Sequence, residues 1–257
     1  MKGSFKIIGC RAGSPSDGIP ASGYMIKSVA GNVLIDCGPG VVLSLSRDEI
    51  ENLAGVIITH QHSDHCLDLV ALSYNILFPV PKKKIPLFGP PSLLKTLDML
   101  DTLFGIPTLS TLKAPIAMAF DYVPVKPGES FKVAGYNFDT LKMKHPVETM
   151  AICSRDFKLV YTADGAYTAS LKSFCIGNNY LVSEATYKDH GKNDLDQHGH
   201  MTAEICGTLA ESAGIKQLII THLSDYNDSA GTIKTAGKYF SGDIKMAYPG
   251  LEILFNE

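Results

Sequence analysis

The sequence predicts an α/β fold in which two mixed β-sheets pack together and carry helices on their outer faces. Short Val- and Ile-rich runs, bounded by Gly, Pro, Ser or Asn, alternate with segments whose apolar residues have helical spacing. Residues 55–60 (Gly-Val-Ile-Ile-Thr-His) and 217–222 (Gln-Leu-Ile-Ile-Thr-His) resemble each other, and both end in Thr-His. Two such halves would bring both strand ends to one rim of the fold. Catalytic groups are often found on loops that a rigid scaffold positions in this way.

Length and composition exclude several classes of protein. The chain has 257 residues, 45% hydrophobic and 19% charged, with 23 basic and 26 acidic side chains. This apolar fraction can bury a substantial core, and no Pro-, Gly- or Ser-rich linker divides the chain, so we expect one domain over residues 1–257. The near-neutral charge predicts no broad basic surface, which disfavours long nucleic acid as a partner.

The sequence also disfavours membrane and secreted classes. No stretch approaches the roughly 18 consecutive apolar residues that a membrane span needs, and residues 1–10 lack the layout of a signal peptide. The six cysteines are scattered without a C-x-x-C pair, so we expect reduced thiols rather than a disulfide framework. We therefore expect a cytoplasmic protein that does not bind membranes.

The predicted elements follow in order along the chain. The first third contains strands at residues 5–10, 23–27, 33–36 and 55–59, with a short helix at 41–52. Helices follow at 67–77 and 91–103. The middle returns to strands at 117–122, 130–133, 138–142, 149–154 and 158–162. The last third alternates helices at 167–174 and 202–213 with strands at 180–184 and 217–221. The apolar segment 67–80 is expected to form either a lid over a pocket or the surface of a homodimer.

Residues 59–65, Thr-His-Gln-His-Ser-Asp-His, follow a predicted strand and carry the strongest chemical signal. In an extended loop His60 and His62 would point the same way, and Asp64 and His65 would begin the following turn. Imidazole suits Zn, Fe or Ni, and carboxylate suits harder cations, so the mixture predicts one divalent transition metal or two. A structural role explains a lone histidine but not this cluster.

This motif resembles that of the metallo-β-lactamase superfamily, whose members share an αββα sandwich built from two similar halves. The resemblance covers nearly the whole chain, because further family motifs follow in order behind predicted strands. It implies His60, His62 and His145 as ligands of one metal, Asp64, His65 and His222 as ligands of a second, and Asp164 between them. Zn is the expected metal of a histidine-rich site, and the N/O ligand set also admits Mn, Fe or Co. Taken singly, His145 could merely end a strand and Asp164 could belong to a simple turn, but their joint occurrence favours ligands.

Two further motifs bear on the branch of the superfamily. Residues 182–186 (Val-Ser-Glu-Ala-Thr) and 200–203 (His-Met-Thr-Ala) look like elements of the tRNA 3′-processing endoribonuclease RNase Z and its phosphodiesterase relatives. Aspartate at 164 argues against the β-lactamase branch whose second metal takes a thiolate. Thioesterases of the glyoxalase type, however, share all seven ligands.

In that branch a metal-bridging hydroxide would attack the phosphorus, and Asp64 would align it as well as bind metal. His200, oriented by Glu184, would act as the general acid that protonates the leaving oxygen. The purely structural alternative for residues 200–202 is a helix start with Thr202 as its N-cap. The catalytic and the structural interpretation can hold together. His190 and His198 are expected to be surface residues.

The chain departs from RNase Z between His145 and Asp164, where only residues 146–163 intervene. In RNase Z that interval carries a long arm that grips precursor tRNA. The Gly- and Ser-rich loop 9–24 is similar to that of smaller RNase Z-like hydrolases, and its Ser14 and Ser22 are candidate contacts to a substrate phosphate; a simple turn is the alternative. The resulting hypothesis is a dinuclear phosphodiesterase acting on a small substrate such as a cyclic nucleotide. An RNase Z-like ribonuclease, a thioester hydrolase of the glyoxalase type and a non-enzymatic metal-binding sensor are the alternatives.

Overall fold

A computed structural model of the chain describes residues 3–189, 195–224 and 228–255, and its strands form two seven-stranded sheets. The first sheet contains β1 (Gly3–Gly9), β2 (Gly23–Ser28), β3 (Asn32–Ile35), β4 (Leu53–Ile57), β5 (Ile85–Gly89) and β6 (Phe120–Pro124). The second sheet contains β7 (Ser130–Val133), β8 (Tyr136–Lys142), β9 (Met150–Ser154), β10 (Leu159–Tyr161), β11 (Tyr180–Glu184), β12 (Gln217–Thr221) and β13 (Asp243–Met246). The last strand, β14 (Glu252–Leu254), returns to the edge of the first sheet.

The helices lie between these strands in the chain. Those of the first half are α1 (Val41–Ser44), α2 (Arg47–Glu51), α3 (Ser63–Cys66), α4 (Leu69–Leu77), α5 (Leu93–Phe104) and α6 (Pro115–Ala119), with a 3-10 turn at Ser110–Leu112. Those of the second half are α7 (Ala169–Cys175), α8 (Leu195–His198), α9 (Ala203–Ala213) and α10 (Ser229–Ala236). Within the described ranges, none of these helices is long and apolar enough to span a membrane.

The two sheets share the same arrangement of antiparallel and parallel strands. The first has the order β14-β1-β2-β3-β4-β5-β6, antiparallel as far as β3 and parallel from there. The second has the order β13-β12-β11-β10-β9-β8-β7, antiparallel from β7 to β10 and parallel from β10 to β13. The two mixed sheets predicted from the sequence are therefore confirmed.

Three apolar layers hold the sheets and helices together. Between the sheets, side chains of both pack face to face, among them Phe5, Tyr24, Phe138 and Tyr161. The outer face of the first sheet packs against α1, α2, α4, α5 and α6, and that of the second against α7, α9 and α10. Burying each large apolar side chain contributes roughly 1.5–3 kcal/mol, so these layers fix a four-layer αββα sandwich.

Two predicted elements are corrected by the structure. The single helix expected at 41–52 is two helices, because Ser46 starts α2 with a capping box in which its hydroxyl accepts from the Glu49 N–H. The strand expected at 117–122 begins only at Phe120, since Pro115 opens a helical turn before it. The prediction did not include β5, whose Pro86 weakens the strand pattern although the strand lies between two neighbours.

The segment 67–80 lies on the outer helical layer. Leu69, Leu72 and Ile76 of α4 are buried against the first sheet. Phe78 and Val80 are 60% and 71% exposed and line a surface groove of about 920 Å³. No residue of this segment lines the cavity described below. The segment therefore does not cover that cavity, and both the lid and the homodimer surface stay predictions.

Candidate metal centre

The structure brings all seven predicted ligands to one rim of the sandwich. His60 follows β4, Asp164 follows β10, and His222 directly follows β12. Parallel strands end at the same edge of a sheet, and the two sheets meet face to face, so these loops converge. Asp64 and His65 lie on α3, the turn that follows His60 and His62, and His145 lies in the connection between β8 and β9.

One group of potential ligands consists of His60, His62, His145 and Asp164, with one ligand atom of each within 4.8 Å of the others. His145 Nε2 lies 3.2 Å from His62 Nδ1, and His60 Nε2 lies 3.8 Å from Asp164 Oδ2. Ligand atoms of a tetrahedral zinc, each about 2.1 Å from the ion, lie about 3.4 Å apart. These separations therefore suit a metal ion of that size.

A second group consists of Asp64, His65, Asp164 and His222, again within 4.8 Å. His65 Nε2 lies 3.3 Å from His222 Nε2 and 3.4 Å from Asp164 Oδ1. His222 Nε2 lies 3.2 Å from Asp64 Oδ2. Asp164 belongs to both groups, as a carboxylate between two cations would.

Two buried polar atoms test whether these residues fit a metal. His60 Nε2 and Asp164 Oδ1 are inaccessible to solvent and make no hydrogen bond to the described part of the chain. A buried polar atom without a partner costs free energy, so such atoms are rare unless something else satisfies them. Both atoms point into the cluster, where a divalent cation would satisfy them. The donor set can therefore hold metal.

Four of the five clustered histidines share one orientation, in which an acceptor outside the cluster holds Nδ1 and Nε2 points inward. The acceptors are Thr59 Oγ1 for His60 at 3.0 Å, Asp36 Oδ2 for His65 at 2.8 Å, Gly199 O for His145 at 2.9 Å and Thr186 Oγ1 for His222 at 2.9 Å. With the proton on Nδ1, the Nε2 lone pair is free to bind a cation.

Asp36 is the most connected of these outer groups. Its buried carboxylate accepts hydrogen bonds from the Thr59 N–H at 2.8 Å and the Thr59 hydroxyl at 3.0 Å. It also accepts from the Tyr161 hydroxyl at 3.1 Å and from His65 Nδ1. One carboxylate therefore orients His65 directly and His60 through Thr59. These two histidines belong to different groups of potential ligands.

The backbone is strained at three points around the cluster. Asp36, Ala163 and His222 have φ of 59°, 51° and 57°, the left-handed region that residues with a side chain rarely adopt. Each follows the end of a strand. Such strain costs about 1–3 kcal/mol per residue and is concentrated at functional sites.

The electrostatics of the cluster favour the neutral form of His60 and His145, the protonated form of His65 and the ionised form of Asp164. Burial lowers the pKa of His60 and of His145. Burial alone would raise the pKa of Asp164, but His222 and His65 hold it well below its usual range. For His65 the effect of burial is overcome by Asp164 and Asp36, which raise its pKa. A bound cation would take over that positive charge and release the His65 proton.

A cavity of about 290 Å³ opens over the cluster. It is lined by Ala12, Gly13, His62, Asp64, Asp164, Thr186, His200, His222 and Ser224. The Gly13 N–H donates to Asp64 Oδ2 at 2.7 Å, which fixes the loop that forms one wall. The cavity therefore reaches residues of both groups of potential ligands.

His200 lines this cavity with one ring nitrogen already engaged. Its Nδ1 lies 2.9 Å from Glu184 Oε1, and Glu184 is fully buried. Hydrogen bonds from the Gly165 N–H, the Thr186 N–H and the Thr186 hydroxyl hold that carboxylate in place. Burial alone would lower the pKa of His200, but the hydrogen bond to Glu184 raises it. Nε2 is therefore the nitrogen available to a substrate.

Glu184, His200 and His222 also lie close enough together to hold a metal ion. This third group is better explained by hydrogen bonding, because both oxygens of Glu184 have partners. His200 Nδ1 and His222 Nδ1 face Thr186 and Glu184 rather than an unfilled space. The structure therefore favours two metal positions rather than three.

The two serines predicted to contact phosphate do not line the cavity. Ser14 is exposed on the loop, and its N–H donates to the Ala12 carbonyl. Ser22 is fully buried beneath the Asp64 backbone, whose carbonyl accepts from the Ser22 N–H at 3.1 Å. From this loop, Ala12 and Gly13 line the cavity instead. His198 is exposed, and His190 lies outside the described residues.

Sequence reasoning missed Asp36 and Thr186. Asp36 was placed at the end of a strand, where a lone aspartate after an apolar run is the signal that could have identified it. Thr186 was noted only as part of a motif, yet its hydroxyl connects Glu184, His200 and His222.

Comparison with known proteins agrees with this geometry. A family model described as "Beta-lactamase superfamily domain" matches residues 31–223. The chain is 27% identical over 251 residues to a Bacillus subtilis (strain 168) protein named "Probable metallo-hydrolase YhfI", covering 95% of this chain and 96% of that protein. It is 24% identical over 277 residues to the Ribonuclease Z of Metallosphaera sedula, covering 91% and 92%.

Solved structures show the same fold. The crystal structure of YhfI from Bacillus subtilis matches with a TM-score of 0.84 and 26% identity, covering 99% of this chain and all of that one. Human tRNase Z, short form, matches with a TM-score of 0.76 and 19% identity, covering 99% and 100%. A diphosphatase of the PhnP family also scores 0.76, at 18% identity, covering 99% and 98%. The last two likenesses concern the fold alone.

Proposed function

The chain belongs to the β-lactamase superfamily, and we propose that this metallo-hydrolase is a phosphodiesterase acting on a small substrate. A cyclic nucleotide is the leading candidate. The observation that carries the proposal is the 2.9 Å contact between Glu184 Oε1 and His200 Nδ1 at the cavity wall. This contact supports His200 as a proton donor. An alkoxide leaving group requires such a donor, whereas a thiolate, whose thiol has a pKa of about 8.5, requires it far less.

The residues divide the reaction between them. Two divalent cations, when bound, would activate a water molecule and neutralise charge on the phosphoryl oxygens. Asp64, held by the Gly13 N–H, is placed to orient that water. The water would lose one proton to solvent as its oxygen bonds to phosphorus, the bond to the leaving oxygen would break, and His200 Nε2 would give that oxygen its proton. Glu184 stabilises the protonated imidazole and fixes its ring.

Cavity size and charge support a small substrate. The cavity of about 290 Å³ is at the lower end of pocket volumes that hold small molecules. A formal charge of −3 gives no general attraction for a long polyanion. The likeness to Ribonuclease Z of Metallosphaera sedula over 91% of the chain favours RNA as the second candidate substrate.

We propose zinc as the native metal. Five of the seven proposed ligands are histidines, and imidazole suits zinc. Elemental analysis of protein purified without added metal should find about two zinc ions per chain. A predominance of manganese, iron or cobalt would contradict the choice of zinc without affecting the ligand set.

A substrate panel tests the function. Metal-loaded protein is assayed with bis(p-nitrophenyl) phosphate, a 3′,5′-cyclic nucleotide, unprocessed tRNA and a glutathione thioester, each with and without EDTA. We expect EDTA-sensitive hydrolysis of the first two. Preference for the thioester would overturn the proposal, and preference for tRNA would favour the ribonuclease.

The proton donor is tested with the cyclic nucleotide of that panel, because its alkoxide leaving group needs protonation and p-nitrophenolate does not. His200→Ala should lower kcat by about 10²- to 10⁴-fold, the usual contribution of a positioned acid, with metal content retained. His198→Ala is the matched control, because that histidine is nearby in sequence but exposed. Wild-type turnover in His200→Ala would contradict the assigned role.

A further inference from the structure

A hydrogen bond crosses the layer between the two sheets beside the candidate metal centre. The hydroxyl of Tyr161, the last residue of β10, donates to Oδ2 of Asp36, the residue after β3, at 3.1 Å. Both side chains are buried. This bond therefore joins the second sheet to the first at the rim that carries the potential ligands.

Packing of the core does not explain the hydroxyl of Tyr161. Its ring packs among apolar and aromatic side chains, with the centroid of the Tyr24 ring 4.7 Å away, and phenylalanine serves in the same layer at Phe5 and Phe138. A buried hydroxyl costs free energy unless it has a hydrogen-bond partner. Burial also raises the pKa of Tyr161, so the hydroxyl keeps its proton and acts as a donor to the Asp36 carboxylate.

Tyr161 donates to the same oxygen that orients His65. Asp36 Oδ2 lies 2.8 Å from His65 Nδ1 and accepts from the Thr59 hydroxyl at 3.0 Å. A carboxylate that accepts from several directions cannot rotate without losing at least one of these bonds. The Tyr161 hydroxyl therefore helps to fix the orientation of the carboxylate, and the carboxylate fixes the imidazole of His65.

The same tyrosine lies on the strand that leads to Asp164. Only Thr162 and the strained Ala163, with φ of 51°, separate Tyr161 from Asp164. Asp164 Oδ1 lies 3.4 Å from His65 Nε2, across the junction of the two sheets. A hydrogen bond from Tyr161 to Asp36 thus connects the strand before the shared carboxylate with the residue that orients His65.

We propose that Tyr161 is a positioning residue of the metal centre that acts through Asp36. Its hydroxyl holds the Asp36 carboxylate against His65 Nδ1 and so keeps His65 Nε2 directed at the second group of potential ligands. The inference rests on the metal binding that the proposed function requires, but not on the choice of substrate.

Tyr161→Phe tests this role because it removes the hydroxyl and keeps the ring. We expect its zinc affinity, measured by competition with a chromophoric chelator, to fall by about 10-fold, the lower end of the usual loss when an outer contact of a ligand is removed. The visible absorption bands of the cobalt-substituted protein should also shift, because His65 changes its orientation. A purely structural role would lower the melting temperature and leave affinity and spectrum unchanged.

Tyr122→Phe is the matched control. It makes the same chemical change and removes a hydrogen bond to the Pro90 carbonyl at 2.7 Å, which involves none of the potential ligands. Its zinc affinity and cobalt spectrum should equal those of wild-type protein. Melting temperatures of the metal-free variants show how much stability each hydroxyl contributes.

A double variant tests whether Tyr161 acts through Asp36. Two substitutions that act through one contact are not additive. Tyr161→Phe should therefore cause little further loss of zinc affinity when it is added to Asp36→Asn. A further loss of about 10-fold would show an independent effect and overturn the proposed route.

The remaining outcomes separate this inference from the function on which it rests. Wild-type zinc affinity with an unchanged cobalt spectrum in Tyr161→Phe overturns the role of Tyr161 and leaves the phosphodiesterase standing. Metal binding that depends on Tyr161, without hydrolysis of any phosphodiester, supports the role and overturns the proposed activity. If the wild-type protein binds neither zinc nor cobalt, both proposals fail.

Discussion

Asp36 Oδ2 lies 2.8 Å from His65 Nδ1, and both side chains are fully buried. The same carboxylate holds Thr59, whose hydroxyl contacts His60 Nδ1 at 3.0 Å. Asp36 therefore controls a histidine in each of the two groups of potential ligands without belonging to either group. The contribution of Asp36 to metal binding by both groups can therefore be measured directly.

Asp36→Asn should weaken metal binding at both positions. The amide keeps the size of the side chain but loses the charge that polarises His65, and loss of such a contact typically costs 10- to 100-fold in metal affinity. Competition with a chromophoric chelator measures the change. Asp68→Asn is the control, because the Asp68 carboxylate accepts from the Val42 N–H instead of contacting the cluster. Equal affinities in wild-type protein and Asp36→Asn would refute the orienting role.

Asp164→Ala should abolish stabilisation by metal. Asp164 is shared by both groups, and its removal leaves His60 and His65 without the carboxylate between them. Metal at 1,000 times its Kd stabilises a folded protein by about 4 kcal/mol, which for a chain of this size raises Tm by roughly 10 °C. Thermal unfolding of EDTA-treated protein with and without added zinc should show this shift in wild type alone. A full shift in the variant would remove Asp164 from the ligand set.

Gly199→Ala should disturb His145 more than it disturbs the fold. A Cβ at Gly199 would lie 2.8 Å from the His145 Cα, and the Gly199 carbonyl accepts from His145 Nδ1. Gly177→Ala is a matched control, since its φ of +83° resembles the +68° of Gly199 but its Cβ would meet no atom within 4 Å. Both variants should lose about 1 kcal/mol of stability from the left-handed backbone. Only Gly199→Ala should lose zinc and turnover, and similar losses in both would argue against the contact.

Glu49→Gln should destabilise the protein in a pH-dependent way. Glu49 Oε1 lies 2.5 Å from Lys6 Nζ, and although burial opposes ionisation, these contacts and those with Ser46 lower the Glu49 pKa. A lowered folded-state pKa contributes stability above the unfolded pKa of about 4.3. That stability is lost as the pH falls through the lower, folded-state value. The variant should therefore be about 1 kcal/mol less stable than wild type at pH 7, and the difference should shrink below about pH 4.3.

Urea unfolding at several pH values measures this difference. Glu51→Gln is the control, because its ion pairs with Arg47 and Lys82 are solvent-exposed and should contribute little. A difference that persists unchanged at low pH would show that the Glu49 charge is not its source.

The elements best predicted from the sequence were those with an uninterrupted pattern. The strands ending before His60 and His222 are each buried at four of five positions and contain a run of Val, Leu or Ile, so their type was clear. β5 was missed because Pro86 interrupts its pattern, although neighbours on both sides stabilise the strand. Long-range pairing overrode the local preference there.

The sequence by itself determined the two-sheet class of the fold and the residue types that can hold metal, because both depend on local patterns. Only the tertiary structure decided which groups meet: that Asp36 serves two histidines, that Thr186 connects Glu184 to His222, and that Ser22 is buried instead of facing a substrate. These contacts join residues distant in the chain, through backbone conformations that no local pattern specifies. The burial that leaves His60 Nε2 and Asp164 Oδ1 without partners is likewise a property of the packed sandwich.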